Sequence, residues 1–508
     1  MKSLLYFVWA LIAAALSIGA WSVSTPLGAA PDEPNHVTQA AAVVRGEFDG
    51  PKVASVFGRI GTMEVPQWVV NLKPECFLYR PDVPASCEPS VGTSTRTVVG
   101  ISQFSNYPPL YYLIVGVPTL LATGSGALYG VRFSGALVGA ALIALGLFLL
   151  ARYHPRRLPL LGAMIALSPM VLFVTAVVNS NGMEIAAAFA AWCGGLCVVE
   201  RTEIPRPLAA LTSLSFVVLI LSRPISPVNA AVIVAVLATL LGWDRGRALV
   251  RERSFRPIWI SVLAANIVAG LFLVRFGLPL LFSVPEKPRL SFIGSVWLTL
   301  RLTGDRLRQC IGDFGWLDTP APGWVIAVWT TALAGLFAYG LAVSRRCRRA
   351  LPLLVLAMVA MPVIFESPHI NTAGPYWQGR YWLPLAIGLP LVASSIEPRR
   401  VCQGARSAMA SPALRLTGFV AAGAVLIITQ VGAFLRALHR YETGLGVPAG
   451  SSVKWTPPGG TILVVSLFVT GQILLVAFLT WSYRDQKRLS TMGLRSMIPS
   501  RHPQPSSV

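Results

Sequence analysis

Charge is scarce in this 508-residue sequence: Asp, Glu, Lys and Arg supply 12% of it, against 54% hydrophobic residues. No ordinary soluble domain carries that balance. Acids are the scarcer sign, 21 against 42 Lys and Arg. The seven cysteines fall at no spacing that resembles a zinc site. There is also no DxD spacing, no internal repeat, no long polar linker and no stretch that reads as a separate soluble domain. What fills the chain instead is a succession of apolar windows of about 20 residues, the length a helix needs to cross a bilayer. The sequence is that of an integral membrane protein.

A formal charge of +21 first suggests a nucleic-acid partner, but the basic residues form no stripe. They stand in short clusters at the ends of apolar segments: Lys2, Arg152/Arg156/Arg157, Arg201/Arg206, "WDRGRALVRERSFRP", "SRRCRR", "EPRRVCQGAR" and the tail from Arg484. Cytoplasmic loops carry the Lys/Arg excess, so all of these are placed inside, and no nucleic acid is expected. The expected fold is an all-α polytopic bundle of about twelve helices, near 4–24, 126–150, 158–178, 183–199, 207–221, 226–242, 257–275, 322–343, 350–366, 380–396, 412–436 and 460–483. Both termini are then cytoplasmic. The N-terminal segment imitates a cleaved secretory signal, yet its apolar run exceeds the usual h-region and the threading needs it as a crossing, so it is read as retained. Making 108–122 a crossing would invert every later loop, so that segment is read as re-entrant or interfacial.

Residues 1–483 thus form a single integral membrane domain, followed by a basic cytoplasmic tail, 484–508. The extracytoplasmic loops are 25–107, 276–321, 367–379 and 437–459. By this threading only Glu200, Glu203, Asp244, Glu252, Glu397 and Asp485 face the cytoplasm, and the other acids collect on or near the outer side. Cys76 and Cys87, in the first outer loop, are candidates for a disulfide. Cys193 and Cys197 share a helix face and read as small packing residues.

The first outer loop opens with "PDEPNH", which sets Asp32 and Glu33 directly beyond the first span. Val37, Ala41, Val44 and Phe48 recur at helical spacing, predicting an amphipathic helix from Pro34 along the outer membrane surface. Asp32 at its start either caps the helix, with Glu33 favouring its dipole, or has chemistry to do. Carboxylates at such a boundary serve as a general base, as cation ligands with His36 as a further donor, or in a proton path. A proton path needs ionisable residues at the midplane of several spans, and the predicted spans hold almost none there, Glu184 lying near one helix end. A general base needs a substrate presented at the membrane surface, for which a lipid-linked donor is the natural choice. Its phosphate leaving group asks for arginine. Arg223, Arg301, Arg306, Arg308 and Arg380 lie at outer edges, with Arg380 set among Tyr376, Trp377, Tyr381 and Trp382. The alternatives are snorkelling and interfacial-belt roles. In "NSNGMEI", Asn181 and Glu184 either orient a substrate or simply begin a helix, capped by Asn179 or Ser180.

The ordered set "PDEPNH", "NYPPLYYL", "NSNGMEIAAA" and "GPYWQGRYWLPL" resembles a bacterial family of polytopic membrane proteins named as a domain of unknown function, which in turn resembles the GT-C class of glycosyltransferases. The likeness runs from about residue 4 to 396. It implies a GT-C-like fold whose long first outer loop contains membrane-parallel helices, and an enzyme that transfers a sugar from a polyprenyl-phosphate donor to an envelope glycan or lipid acceptor outside the cytoplasmic membrane. It assigns Asp32 and Glu33 to catalysis, matches a "PPL" entry at Pro108, Pro109 and Leu110, and adds Arg132. The candidate substrate-binding residues are then His36, Tyr107, Arg132, Asn181, Glu184, Arg223, Gln378, Arg380 and Tyr381. No cofactor is expected, and a divalent metal stays open. The competing readings are a transporter or flippase of a lipid-linked glycan and a non-catalytic envelope-assembly protein. The concentration of acids on one side favours a one-sided enzyme, because alternating access builds its site at the midplane.

Overall fold

The first span dictates the packing. In α1 (Lys2–Ser24), small residues such as Ala10, Ala13, Ala14 and Ser17 are buried, so neighbouring backbones approach closely. The computed structural model describes residues 2–55, 58–253, 255–276, 289–395, 412–448 and 452–495. Residues 277–288 of the second outer loop, the basic cluster 397–406 with Glu397, and the end of the tail lie outside the described residues.

After α1 comes α2 (Glu33–Val43), then β1 (Lys52–Ser55) and β2 (Gly58–Pro66), α3 (Gln67–Val70) and β3 (Thr97–Ser102). The three strands form one antiparallel sheet in the order β1-β2-β3. Short apolar helices α4 (Leu110–Val115) and α5 (Pro118–Leu121) lead into α6 (Gly124–Tyr153). Next are α7 (Leu158–Ala166), α8 (Pro169–Ala176), α9 (Ser180–Glu200), α10 (Arg206–Ile220), α11 (Ser226–Leu241), α12 (Trp243–Arg251) and α13 (Arg256–Phe276). The last part comprises α14 (Phe292–Arg301), α15 (Thr303–Gly312), a ribbon of β4 (Asp313–Phe314) and β5 (Thr319–Pro320), α16 (Gly323–Val343), α17 (Cys347–Phe365), α18 (Ile370–Ala373), α19 (Gly379–Ala386), α20 (Gly388–Ser395), α21 (Pro412–Glu442) and α22 (Thr461–Arg495).

This is a mostly helical, polytopic membrane fold, and every predicted span lies on helix. Not every one of the twelve is a long straight helix. Among the described residues eight helices are long and apolar enough to cross, or up to ten if two bent pairs each make one span. The α7–α8 pair bends by 58° where Ser168 caps α8 ahead of Pro169, a residue that cannot continue a helix ladder. The α11–α12 pair bends by 114° at Gly242, whose positive φ of 86° suits glycine. At fifteen residues, α10 falls short of the bilayer thickness. The α4–α5 segment is short as well, and its outward residues Leu113, Val117, Leu120 and Leu121 are exposed.

The helix α9, buried through its whole span, is the centre of the bundle and packs against α6 and α10. A Cβ at Gly194 would stand 2.4 Å from Thr212 Oγ1, and one at Gly195 would stand 2.3 Å from Leu237 Cδ1, so both positions need glycine for this approach.

One expectation for the first loop is corrected. The helix α2 is not amphipathic: Val37 to Val43 are all buried, because α3, α4 and strands β2 and β3 cover it. Phe48 lies beyond its end and is exposed. The loop also carries a three-stranded sheet, which the sequence reading did not include. Cys76 and Cys87 are joined in a disulfide, with Cα atoms 6.1 Å apart.

The helix ends sort into two sets. Arg156 pairs with Glu200 and reaches Ser395 O, and Arg201 holds Tyr153 O, which gathers the C-terminal ends of α6, α9 and α20 near basic clusters. The opposite ends, with the C-terminus of α1 and the starts of α6, α9, α11 and α19, meet around residues 28–36.

Candidate active site

Asp32 and Glu33 are neighbours in sequence and opposites in structure. Asp32 sits in the left-handed region, at φ 65°, and makes no side-chain cap to α2, so the capping alternative does not describe it. Asp is among the few residues that adopt this conformation without large strain. The turn sends its carboxylate to Arg380, whose Nη2 lies 2.5 Å from Oδ2, and leaves the side chain 28% exposed. Glu33 turns inward. Its Oε1 accepts from Arg132 Nε at 2.7 Å and Val178 N at 3.1 Å, and its Oε2 from Arg132 Nη2 at 2.6 Å and Gly28 N at 3.0 Å. Arg132 spends its other N–H groups on Ser22 O, Thr25 O and Pro26 O. Both members of this pair are essentially fully buried and fully bonded. They lock the end of α1 to α6 and offer nothing to a ligand, so the geometry separates Glu33 from the catalytic role and Arg132 from the binding role expected of them.

Around Asp32 the structure gathers Arg380, Arg223, Tyr107, Tyr381 and His36. Arg380 also donates to Pro31 O and to the Tyr381 hydroxyl, each at 3.3 Å. Arg223 donates to Glu184 Oε2 at 3.1 Å and to the Tyr107 hydroxyl at 3.3 Å. The two guanidinium groups lie over the same Tyr381 ring, 5.2 and 4.9 Å from its centre. Both arginines are buried, and the Nε of each finds no acceptor among the described residues. An unmet buried donor costs about 1–3 kcal/mol, which an anion with several acceptor oxygens would recover. Gln378, just before α19 and half-buried, likewise leaves Oε1 without a partner.

Asn181 and Glu184 act behind this layer. Asn179 caps α9 by accepting from Asn181 N at 2.9 Å and also donates to Pro31 O. Glu184 takes hydrogen bonds from Asn181, Arg223, Ser226 and Asn229, so it aims Arg223 and has no capacity left for a substrate. His36 pairs through Nδ1 with the Tyr112 hydroxyl at 2.9 Å and stacks on Phe104 at 3.8 Å. Burial, with Arg380 and Arg223 nearby, holds its imidazole well below the usual range, so it stays neutral.

Of the other outer arginines, Arg301 and Arg308 are exposed. Arg306 is buried and bound to Glu366 at 2.5 Å. Glu366 also accepts from Trp377 N at 2.6 Å, which fixes the loop that delivers Arg380. Glu366 was not singled out from the sequence. The available signal was its rarity, an acid at the end of an apolar helix shortly before "WQGRY".

An apolar groove of about 220 Å³ runs between Pro108, Leu110, Leu113, Leu221, Val268 and Phe272. Tyr107 directly precedes Pro108, and Arg223 lies two residues after Leu221, so two of the segments that line the groove continue into the site. A larger, more polar cavity of about 380 Å³, between Arg45, Trp68, Thr95, Thr97 and Thr119, holds none of these residues.

The sequence model of DUF2142, described as "Predicted membrane protein", matches residues 15–389. No curated protein sequence is significantly similar to the chain. Among solved structures, ArnT from Cupriavidus metallidurans bound to undecaprenyl phosphate is similar at 14% identity and a TM-score of 0.43, over 97% of this chain and 82% of that one. Its apo state gives the same identity and score over 94% and 77%. The Archaeoglobus fulgidus oligosaccharyltransferase, in complex with zinc and sulfate, is similar at 13% identity and a TM-score of 0.38, over 87% and 54%.

Proposed function

The chain belongs to the DUF2142 family of predicted membrane proteins, and from its site we propose that it transfers a sugar from a polyprenyl-phosphate donor to a cell-envelope acceptor at the outer face of the cytoplasmic membrane. The observations that carry this reading are a half-exposed carboxylate, two buried arginines with unmet donors, and an apolar groove whose lining segments run on to Tyr107 and Arg223. A polyprenyl phosphate matches the last two in chemistry, with its tail in the groove and its phosphate at Arg223 and Arg380. Arg380 holds one oxygen of Asp32 and leaves Oδ1 for the acceptor.

The reaction is a single inverting displacement. The acceptor oxygen attacks the anomeric carbon, Asp32 takes the hydroxyl proton, and the bond to the phosphate oxygen breaks with its electron pair leaving on polyprenyl phosphate. The acceptor hydroxyl becomes acidic as the new bond forms, so proton transfer is late and needs no strong base. No cofactor enters this scheme. The test incubates purified protein with radiolabelled polyprenyl-phosphate sugars and an envelope extract. Label should move to a new acceptor with wild type and fall by roughly 10²- to 10⁴-fold with Asp32→Asn. Undiminished transfer by that variant would remove Asp32 as the base. Energy-dependent movement of an intact lipid-linked glycan, with no glycosidic bond formed, would replace the enzyme reading with a transporter.

A further inference from the structure

Among the described residues three non-glycine residues have left-handed backbone: Asp32, Tyr79 and Leu317. They lie far apart in sequence and close together in the fold. Tyr79, on the disulfide-closed turn, meets Trp316, the neighbour of Leu317, edge to face at 6.1 Å. Trp316 donates through Nε1 to Gly28 O at 3.0 Å, in the turn that leads to Asp32, and Asp32 and Arg380 both lie within electrostatic reach of the Tyr79 hydroxyl. Strained backbone persists where surrounding structure enforces it, and it collects at functional sites.

The enforcing element is one buried cation. Arg440, 0% exposed, donates to Phe77 O at 2.7 Å, Arg80 O at 3.3 Å and Val83 O at 2.9 Å, which gathers the turn around Tyr79. The same guanidinium holds Asp318 at 3.1 Å, two residues after Trp316. Leu445 N binds Pro81 O at 2.7 Å from beyond the end of α21. All this order serves an aromatic side chain that is 65% exposed and so adds little to the core. An exposed ring held rigidly against a half-exposed indole offers apolar faces to the C–H face of a pyranose, with its hydroxyls left in water.

We propose that Tyr79 and Trp316 form the binding platform for the acceptor glycan, clamped in place by Arg440 as a positioning residue. The proposal rests on the transferase reading for its role. The base must touch the attacking hydroxyl, so the acceptor sits beside Asp32, and Tyr79 and Trp316 are aromatics there whose rings, among the described residues, neither Arg223 nor Arg380 covers.

The test measures binding of free linear tetrasaccharides of glucose, galactose, mannose and N-acetylglucosamine to the purified full chain without donor, by saturation-transfer NMR. At least one should bind wild type and Tyr79→Phe alike, and weaken roughly tenfold or more with Trp316→Ala or Tyr79→Gly. Tyr79→Gly relieves the left-handed strain, so its thermal midpoint should hold or rise while binding is lost. A residue kept for structure alone would give the reverse. Equal binding by wild type and both variants, or no binding of any tetrasaccharide by wild type, would overturn the platform. Binding confined to polyprenyl-phosphate sugars would overturn its assignment to the acceptor. Binding lost in the variants while wild type transfers no sugar would leave the platform standing and defeat the transferase reading instead.

Discussion

At the scale of single residues, the two acids of "PDEPNH" should separate cleanly in experiment. Asp32→Asn keeps a side chain at home in the left-handed region, can still accept from Arg380 and is partly exposed, so it should lose less stability than Glu33→Gln while losing transfer. Glu33→Gln removes the charge that Arg132 needs inside the protein. Breaking one partner of such a buried pair costs about 3–5 kcal/mol, so denaturant unfolding should show a large loss. Unchanged stability in Glu33→Gln would mean the pair is hydrated. Which acid does which job was not legible in the sequence. It depends on the sign of φ at Asp32 and on partners 99 and 348 residues away.

His36 gives a pH signature. Its imidazole is neutral in the fold, with Arg380, Arg223, Tyr107 and Tyr112 around it and a folded pKa far below the unfolded value. A depressed pKa contributes stability that is fully present above the unfolded value of about 6.5 and is lost as pH falls below it, by up to about 1.4 kcal/mol per pH unit. Burial raises Glu88 to about 8 and Asp313 to about 6, and those groups titrate with the opposite sign. The quantity to measure is therefore the difference between wild type and His36→Gln. The wild-type value minus the His36→Gln value should fall steadily from pH 7.5 to 5. A constant difference would show His36 to be hydrated.

At the scale of elements, the start of α19 is the sharpest constraint. A Cβ at Gly379 would lie 2.4 Å from Arg306 O and 2.5 Å from Gln309 Cβ, so α19 touches α15 there with no space for a side chain. Gly379 N also donates to Gln309 Oε1 at 2.8 Å. Gly379→Ala must push α19 away and carry Arg380 with it. A displacement near 1 Å costs a site on the order of 10²-fold, so transfer should fall that far while the bundle stays folded, as gel filtration and circular dichroism would register. Full activity in Gly379→Ala would show that Arg380 tolerates the shift. The "QGRY" stretch was legible as a site because an arginine among aromatics is conspicuous in so apolar a chain. Its supporting pair, Arg306 and Glu366, was not, since their contact joins α15 to the end of α17. The sheet also escaped the sequence reading. "TVVGIS" in β3 lacks clean alternation of apolar and polar residues, and without the sheet α2 read as a surface helix.

At the scale of the whole molecule, charge sorting and structure meet on one point. The helix ends that converge on Asp32 are not those that carry the basic clusters, as Arg156, Arg201 and Glu200 show at the opposite end. Apolar length located the helices, because a span has no other way to satisfy its backbone in lipid. Among the described residues, length and composition pass eight to ten segments as crossings, because α10 is short and the α7–α8 and α11–α12 pairs are bent. Sidedness then follows from the positive-inside rule and can be measured directly. The free cysteines at 193, 197, 310 and 347 are buried, and Cys402 can be replaced by serine to give a silent background. In that background Arg96→Cys, exposed in the first outer loop, and Arg348→Cys, exposed in a basic cluster, report the two sides. On intact cells an impermeant maleimide should label position 96 at once and position 348 only after permeabilisation. Labelling of 348 with protection of 96 would turn the molecule over. Asp32 would then face the cytoplasm, and a donor presented on the outer leaflet could not reach it.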